Sequence, residues 1–276
     1  WPIQAYFIPD GVASYTVGGT TFLVTANEGD EKEYTGFTER VAVGAGAYTL
    51  DATNFPNASI LKQNHNLGRF RVTNLNGNTD ADAQFETIHC LGTRSFSIFN
   101  TSTKQIVFDS GDDFERYTAA NLPTLFNADH ENNTPKGRSR AKGPEPEGVT
   151  IAQIATETFA FVSLERVGGV IVYNITNPNN PVFVDYKNSR STSAYSGDHG
   201  PEGITYIAPA NSATAKGYVL VANEISGTIT IYEVDENTLS SSDFNSEPKT
   251  FVIFPNPASN SEIVYFNRVA DIEVYD

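Results

Sequence analysis

Six acidic side chains recur at two fixed places in a repeated pattern. Asp10, Glu147 and Glu202 each stand between a proline and a glycine, in Pro9-Asp10-Gly11-Val12, Pro146-Glu147-Gly148-Val149 and Pro201-Glu202-Gly203-Ile204. Glu28, Glu165 and Glu224 each close an apolar run that follows one of those motifs: Val24 to Glu28, Phe161 to Glu165 and Val219 to Glu224. If the copies are equivalent units set around an axis, their acids fall at one radius and converge. Converging carboxylates repel one another, and they stay ionised best around a hard cation such as calcium. The same acids serve equally as staples, accepting backbone hydrogen bonds from the next unit or pairing with Arg166. Spacing alone leaves both readings open.

Further groups suit chemistry. Arg166, directly after Glu165, has the planar donor fork that grips a phosphoryl oxygen, and it is equally a partner for Glu165. His130 and His199 lie in the acidic loops Asp129-His130-Glu131 and Asp198-His199-Gly200, where an imidazole is either an acid–base group near neutral pH or a solvated loop residue. Asn78-Thr79-Asp80-Ala81-Asp82, with Glu86 beyond, alternates oxygen-bearing side chains as calcium loops do. Ala83 stands where such a loop needs glycine, so a polar turn fits better. Ser110 lacks the Gly-x-Ser-x-Gly setting of a hydrolase nucleophile.

The elements that must carry these groups are strands. Thr21 to Ala26, Phe96 to Phe99, Phe159 to Leu164, Val170 to Asn174, Tyr218 to Ala222 and Thr228 to Val234 are rich in β-branched and aromatic residues and bounded by turn formers. Three or four strands follow each Pro-acid-Gly motif, which predicts an all-β chain built as part of a β-propeller, with further blades expected ahead of Trp1. Two long polar excursions, 29–66 and 119–143, interrupt the repeat, and the second carries the basic cluster Lys136, Arg138, Arg140 and Lys142. Residues 1–234 form the blades, 235–249 read as a linker, and strand patterns resume in 250–276 as the beginning of a small Ig-like β-sandwich.

Composition limits the function. The 276 residues hold 18 Lys+Arg against 33 Asp+Glu, for a net charge of −15. No basic surface of the kind that displaces phosphate counterions is expected, so no nucleic-acid partner is predicted. No run is long and apolar enough for a transmembrane helix. The single cysteine, Cys90, excludes an internal disulfide and a cysteine-cluster metal site.

Two resemblances sit on these residues. Phe251-Val252-Ile253-Phe254-Pro255-Asn256-Pro257-Ala258, followed by Ile272-Glu273-Val274-Tyr275-Asp276, resembles the start of a type A sorting domain of the bacterial type IX secretion system. That implies export through the type IX translocon and its shuttle proteins, and a secreted or outer-surface location. The body resembles the choice-of-anchor I family, whose members carry alkaline-phosphatase-like or mesenchyme-specific surface-glycoprotein-like labels and are propeller-like. The residues that carry it include Thr25-Ala26-Asn27-Glu28-Gly29-Asp30, Lys142-Gly143-Pro144-Glu145-Pro146-Glu147-Gly148-Val149 and Leu164-Glu165-Arg166-Val167-Gly168-Gly169. The acid pattern also distantly resembles phytase propellers, which hold calcium in this way.

Two functions therefore stand. The first is a non-enzymatic surface or binding module for a surface ligand. The second is a calcium-dependent phosphoesterase acting on a phosphate ester. There Asp10, Glu28, Glu147, Glu165, Glu202 and Glu224 are the candidate metal ligands, and Arg166 and His199 the candidate catalytic residues.

Overall fold

The structure, a computed structural model, describes residues 1–80, 82–234 and two short backbone strands further on. In chain order the first strands are β1 (Ile3–Tyr6), β2 (Val12–Val17) and β3 (Thr20–Ala26). An insertion then holds β4 (Glu33–Tyr34), β5 (Phe37–Thr38), β6 (Arg40–Ala42), β7 (Thr49–Leu50), the one-turn helix α1 (Ala58–Leu61), β8 (Arg71–Thr73), β9 (Gln84–Phe85) and β10 (Ile88–Leu91). After it come β11 (Phe96–Asn100), β12 (Gln105–Asp109), helix α2 (Asp113–Asn121), β13 (Pro146–Ile154), β14 (Glu157–Leu164), β15 (Val170–Asn174) and β16 (Val182–Lys187). The described body ends with β17 (Pro201–Ile207), β18 (Gly217–Asn223) and β19 (Thr228–Val234).

Three antiparallel sheets repeat one plan: β12-β11-β3-β2, β13-β14-β15-β16 and β17-β18-β19. Among the described residues no sheet closes on itself. The chain is thus all-β, as its strand-and-turn pattern predicts. Local chemistry explains the hairpins. Gly18 and Gly19, with φ of 57° and 80°, make the two-residue turn between Val17 and Thr20, a geometry that β-branched neighbours could not adopt. β15, Val-Ile-Val-Tyr-Asn, is buried almost throughout because it runs through the middle of its sheet with both faces covered.

The sheets stack through two apolar layers. Phe159, Phe161, Val170, Val172 and Val184 of the second sheet meet Val219 and Val221 of the third. On the other side α2 inserts Phe114 against Phe96 of β11 and Tyr173 of β15, with the Phe96 and Tyr173 ring centroids 4.8 Å apart. The excursion at 29–66 is not a bare polar loop. Together with residues up to 91 it supplies β6, β8 and β10, which β1 joins to form the sheet β1-β10-β8-β6, and a core of Val43, Tyr48, Leu50, Phe55, Leu61, Val72, Phe85 and Ile88. The apolar residues are spread singly among polar ones, which hides them from a periodicity reading.

The Pro-acid-Gly motifs have one local structure. Asp10 and Gly11 both face Ala26, its carbonyl accepting from Asp10 N and its N–H donating to Gly11 O. The ladder shifts register between Pro146 and Val149, and again between Pro201 and Gly203. Each motif is therefore a β-bulge at the start of its sheet, a device that re-aims a side chain. Gly11 also donates its N–H to Glu147 O at 2.8 Å, and a Cβ there would lie 2.5 Å from that oxygen. A Cβ on Gly148 would come within 2.8 Å of Glu202 O. The glycines let successive sheets touch backbone to backbone.

Of the sorting-domain segment, the structure describes only the paired strands β20 (Ile253–Phe254) and β21 (Tyr265–Phe266), in a unit of their own, Asp243–Asp276. The linker at 235–249 and the rest of the Ig-like reading lie outside the described residues.

Candidate cation centre

The bulges and strand ends bring three of the predicted acids together. One carboxylate oxygen from each of Asp10, Glu28 and Glu147 lies within 4.8 Å of the others. Asp10 is exposed at the rim, Glu28 is half-buried, and Glu147 is 6% exposed at the floor. Glu28 is placed by its neighbours: buried Asn27 donates to Ser97 Oγ at 2.8 Å, and Gly29 donates to Ile8 O at 3.0 Å. Glu147 Oε2 is fully enclosed and has no hydrogen-bond partner among the described residues. An orphaned buried carboxylate oxygen is costly unless something positive meets it.

Electrostatics agree with the geometry. Burial, reinforced by the charges of Glu28, Glu165, Asp10 and Glu202, pushes the Glu147 carboxyl up to about 9. Burial also raises Glu28, to about 7, against the opposing pull of Lys142. Without a cation the cluster holds protons at neutral pH. All the donors are carboxylate oxygens, the set a hard divalent ion takes.

Immediately beside it, the charges balance. Glu145 is wholly buried and accepts Arg166 Nε at 2.8 Å, with Arg138 bonded to its other oxygen and Lys142 Nζ at 3.3 Å. Burial alone would raise its carboxyl, but Lys142, Arg138 and Arg166 hold it down at about 2. Lys142 also bonds Glu28 and reaches Asp30 at 3.1 Å. Glu165 shares this network, 3.2 Å from Arg166 Nη1 and 2.9 Å from His130 Nδ1. Glu28, Glu145 and Glu165 also lie close enough to share an ion. Among them, however, stand the cations that already neutralise them.

The remaining predicted residues are distributed as follows. Glu202 and Glu224 are exposed beside the cluster and act on one another, burial and Glu224 raising the Glu202 carboxyl. Arg166 is engaged by Glu145, Glu165 and Asp129, the last at 3.5 Å. His199 is 4% exposed against Tyr195, with ring centroids 4.3 Å apart, and burial followed by Arg190 lowers its pKa. No contact joins His199 to Arg166 among the described residues. The Asp80, Asp82 and Glu86 carboxylates approach one another in an exposed turn, where Glu86 Oε2 accepts from Thr79 N at 2.6 Å.

Sequence reasoning missed Glu145 and Arg190. Arg190 is 4% exposed and donates to the carbonyls of Arg166, Asp129 and Asn132, fixing the 129–133 loop behind the network. The signal for Glu145 was its place in Pro144-Glu145-Pro146-Glu147, next to the motif itself.

The choice-of-anchor I domain matches residues 1–178, more than half of the chain. The chain belongs to the choice-of-anchor I family. Gigasin-3a of Magallana gigas is 26% identical over 184 residues, covering 61% of this chain and 64% of that protein. The mesenchyme-specific cell surface glycoprotein of Strongylocentrotus purpuratus is 21% identical over 265 residues, covering 84% of this chain and 32% of its own length. The chain thus spans somewhat under two thirds of one curated relative and about a third of the other. No helix among the described residues is long and apolar enough to cross a membrane.

Proposed function

We propose that this choice-of-anchor I protein works outside the cell as a surface binding module, built of propeller blades joined by a calcium ion. Asp10, Glu28 and Glu147 supply three of the six to eight oxygens that calcium takes. The single observation that carries the reading is the enclosed, unpartnered Glu147 Oε2 between two further carboxylates. Asp10 and Glu28 flank β2 and β3 of the first sheet and Glu147 opens the second, so the ion fastens sheet to sheet. Family membership and the name of the sea-urchin relative, a cell surface glycoprotein, support the extracellular setting. Residues 250–276, through their likeness to a sorting domain, fit passage through the type IX translocon and attachment to a bacterial outer surface.

The calcium-dependent phosphoesterase reading uses the same ion but needs a guanidinium free to face it. Arg166 is held by three carboxylates, which makes the binding reading the stronger. The test is isothermal titration of the metal-free protein with calcium, run with Glu147→Gln and with phosphomonoester turnover followed in parallel. One site with a Kd on the order of 10⁻⁴–10⁻³ M, the range of extracellular modules, is expected, and Glu147→Gln abolishes it. Absence of binding overturns the calcium reading. Turnover that chelator stops would replace the binding module with the esterase.

A further inference from the structure

The most acidic feature of this protein is its composition, yet four arginines meet in one cavity. Arg40 comes from β6, Arg69 and Arg71 from the entry to β8, and Arg140 from the 119–143 excursion. They line a cavity of about 390 Å³. Arg140 is brought there by main chain, its carbonyl accepting the Arg71 N–H at 2.8 Å. The floor is built by close backbone packing: Gly44 donates to Gly68 O at 2.8 Å, and a Cβ on Gly68 would stand 2.3 Å from Lys62 O.

Arg40 has counter-charges, Glu31 in direct contact and Glu33 at 3.6 Å. Among the described residues no carboxylate lies within ion-pair distance of Arg69, Arg71 or Arg140. Half-buried Arg71 feels this directly. Burial lowers its pKa, and Arg40, Arg140 and Arg138 lower it further, with Glu31 opposing. In a chain with 18 basic residues against 33 acidic ones, leaving three guanidinium groups together and unneutralised is a specific arrangement. Guanidinium forks bind tetrahedral oxyanions two bonds at a time, and a cavity of this size takes a small molecule rather than a bare ion.

We propose that this cavity is a binding site for a phosphate or sulfate monoester carried on a small polar body, with Arg69, Arg71 and Arg140 gripping the oxyanion. Arg40 stays with Glu31 and closes one wall. The site stands apart from the carboxylate cluster in both its residues and its charge, so it does not depend on the calcium reading.

The test titrates the full chain, in chelator and at low ionic strength, with glucose 6-phosphate, glucose 6-sulfate, inorganic phosphate and sulfate. At least one ester is expected to bind, more tightly than the matching free ion. The ester that binds better tells phosphate from sulfate. Arg71→Ala and Arg140→Ala should each weaken binding about ten- to hundredfold, the size expected for losing charged hydrogen bonds, while Arg71→Lys retains part of it. Arg69→Ala and Arg140→Ala alter exposed side chains, so they leave a folded protein if Arg71→Ala does not. No binding of either ester overturns the proposal. So does ester binding that Arg140→Ala and Arg69→Ala leave untouched.

Discussion

Glu145 and Glu147 are separated by one proline, both are almost wholly buried, and their carboxyl groups are driven in opposite directions. Around Glu145 stand Lys142, Arg138 and Arg166, and it stays ionised down to about 2. Around Glu147 stand Glu28, Asp10 and Glu165, and it keeps its proton up to about 9. Proline at 146 and the bulge after it turn the two side chains to different neighbours. The lesson is that identical residues in one short segment divide into a finished structural charge network and an unfinished one. The unfinished one is where a ligand belongs.

The largest effect should come from the finished side. Glu145→Gln takes the one wholly buried carboxylate from Lys142, Arg138 and Arg166, leaving them only their outer partners Glu28, Asp30, Glu165 and Asp129, and a loss of about 3 kcal/mol is expected in urea unfolding. A loss under about 1 kcal/mol would mean that water already solvates the network, and the contrast would collapse.

Next is the pH dependence of the calcium-free protein. Unfolded glutamates release their protons near 4.5, whereas folded Glu28 does so at about 7 and folded Glu147 at about 9. The folded state therefore binds more protons across that window, and stability falls as pH rises from about 5 to 9. Glu145 acts in reverse, its contribution disappearing as pH falls from about 4.5 towards 2. Thermal unfolding across this range checks both limbs. A profile flat from pH 5 to 9, or one that Glu147→Gln leaves unchanged, would sink the assignment.

The smallest effect is at the rim. Asp10→Asn, at an exposed position, should change calcium-free stability by less than about 0.5 kcal/mol while weakening calcium binding several-fold. Equal calcium affinity in the variant would remove Asp10 from the cluster and leave a two-carboxylate site.

Much of this organisation is written locally. Each strand needs only its own β-branched and aromatic residues, so Val170–Asn174 and Thr228–Val234 agree with expectation to the residue. Of the six acids at the two repeated positions, Asp10, Glu28 and Glu147 lie within 4.8 Å of one another, and Glu165 approaches Glu28 beside Glu145. The division between Glu145 and Glu147 was not legible, because it depends on Arg138 and Arg166 arriving from other loops. The arginine cavity was hidden for the same reason. Residues 40, 69, 71 and 140 share no spacing, and the basic cluster of the second excursion splits, Arg138 and Lys142 turning to Glu145 and Arg140 to the cavity.

The insertion between β3 and β11 has a kinetic consequence. The first sheet cannot pair its inner strands until the chain returns from Asn27 to Ser95, and that excursion's own sheet needs β1 from ahead of β2 to pair with β10. The two sheets are interleaved along the chain, so neither can be completed before the other has begun. Such non-local pairing slows folding far more than it lowers stability, because loop closure must precede the contacts that reward it. The second and third sheets, meanders of consecutive strands, carry no such delay.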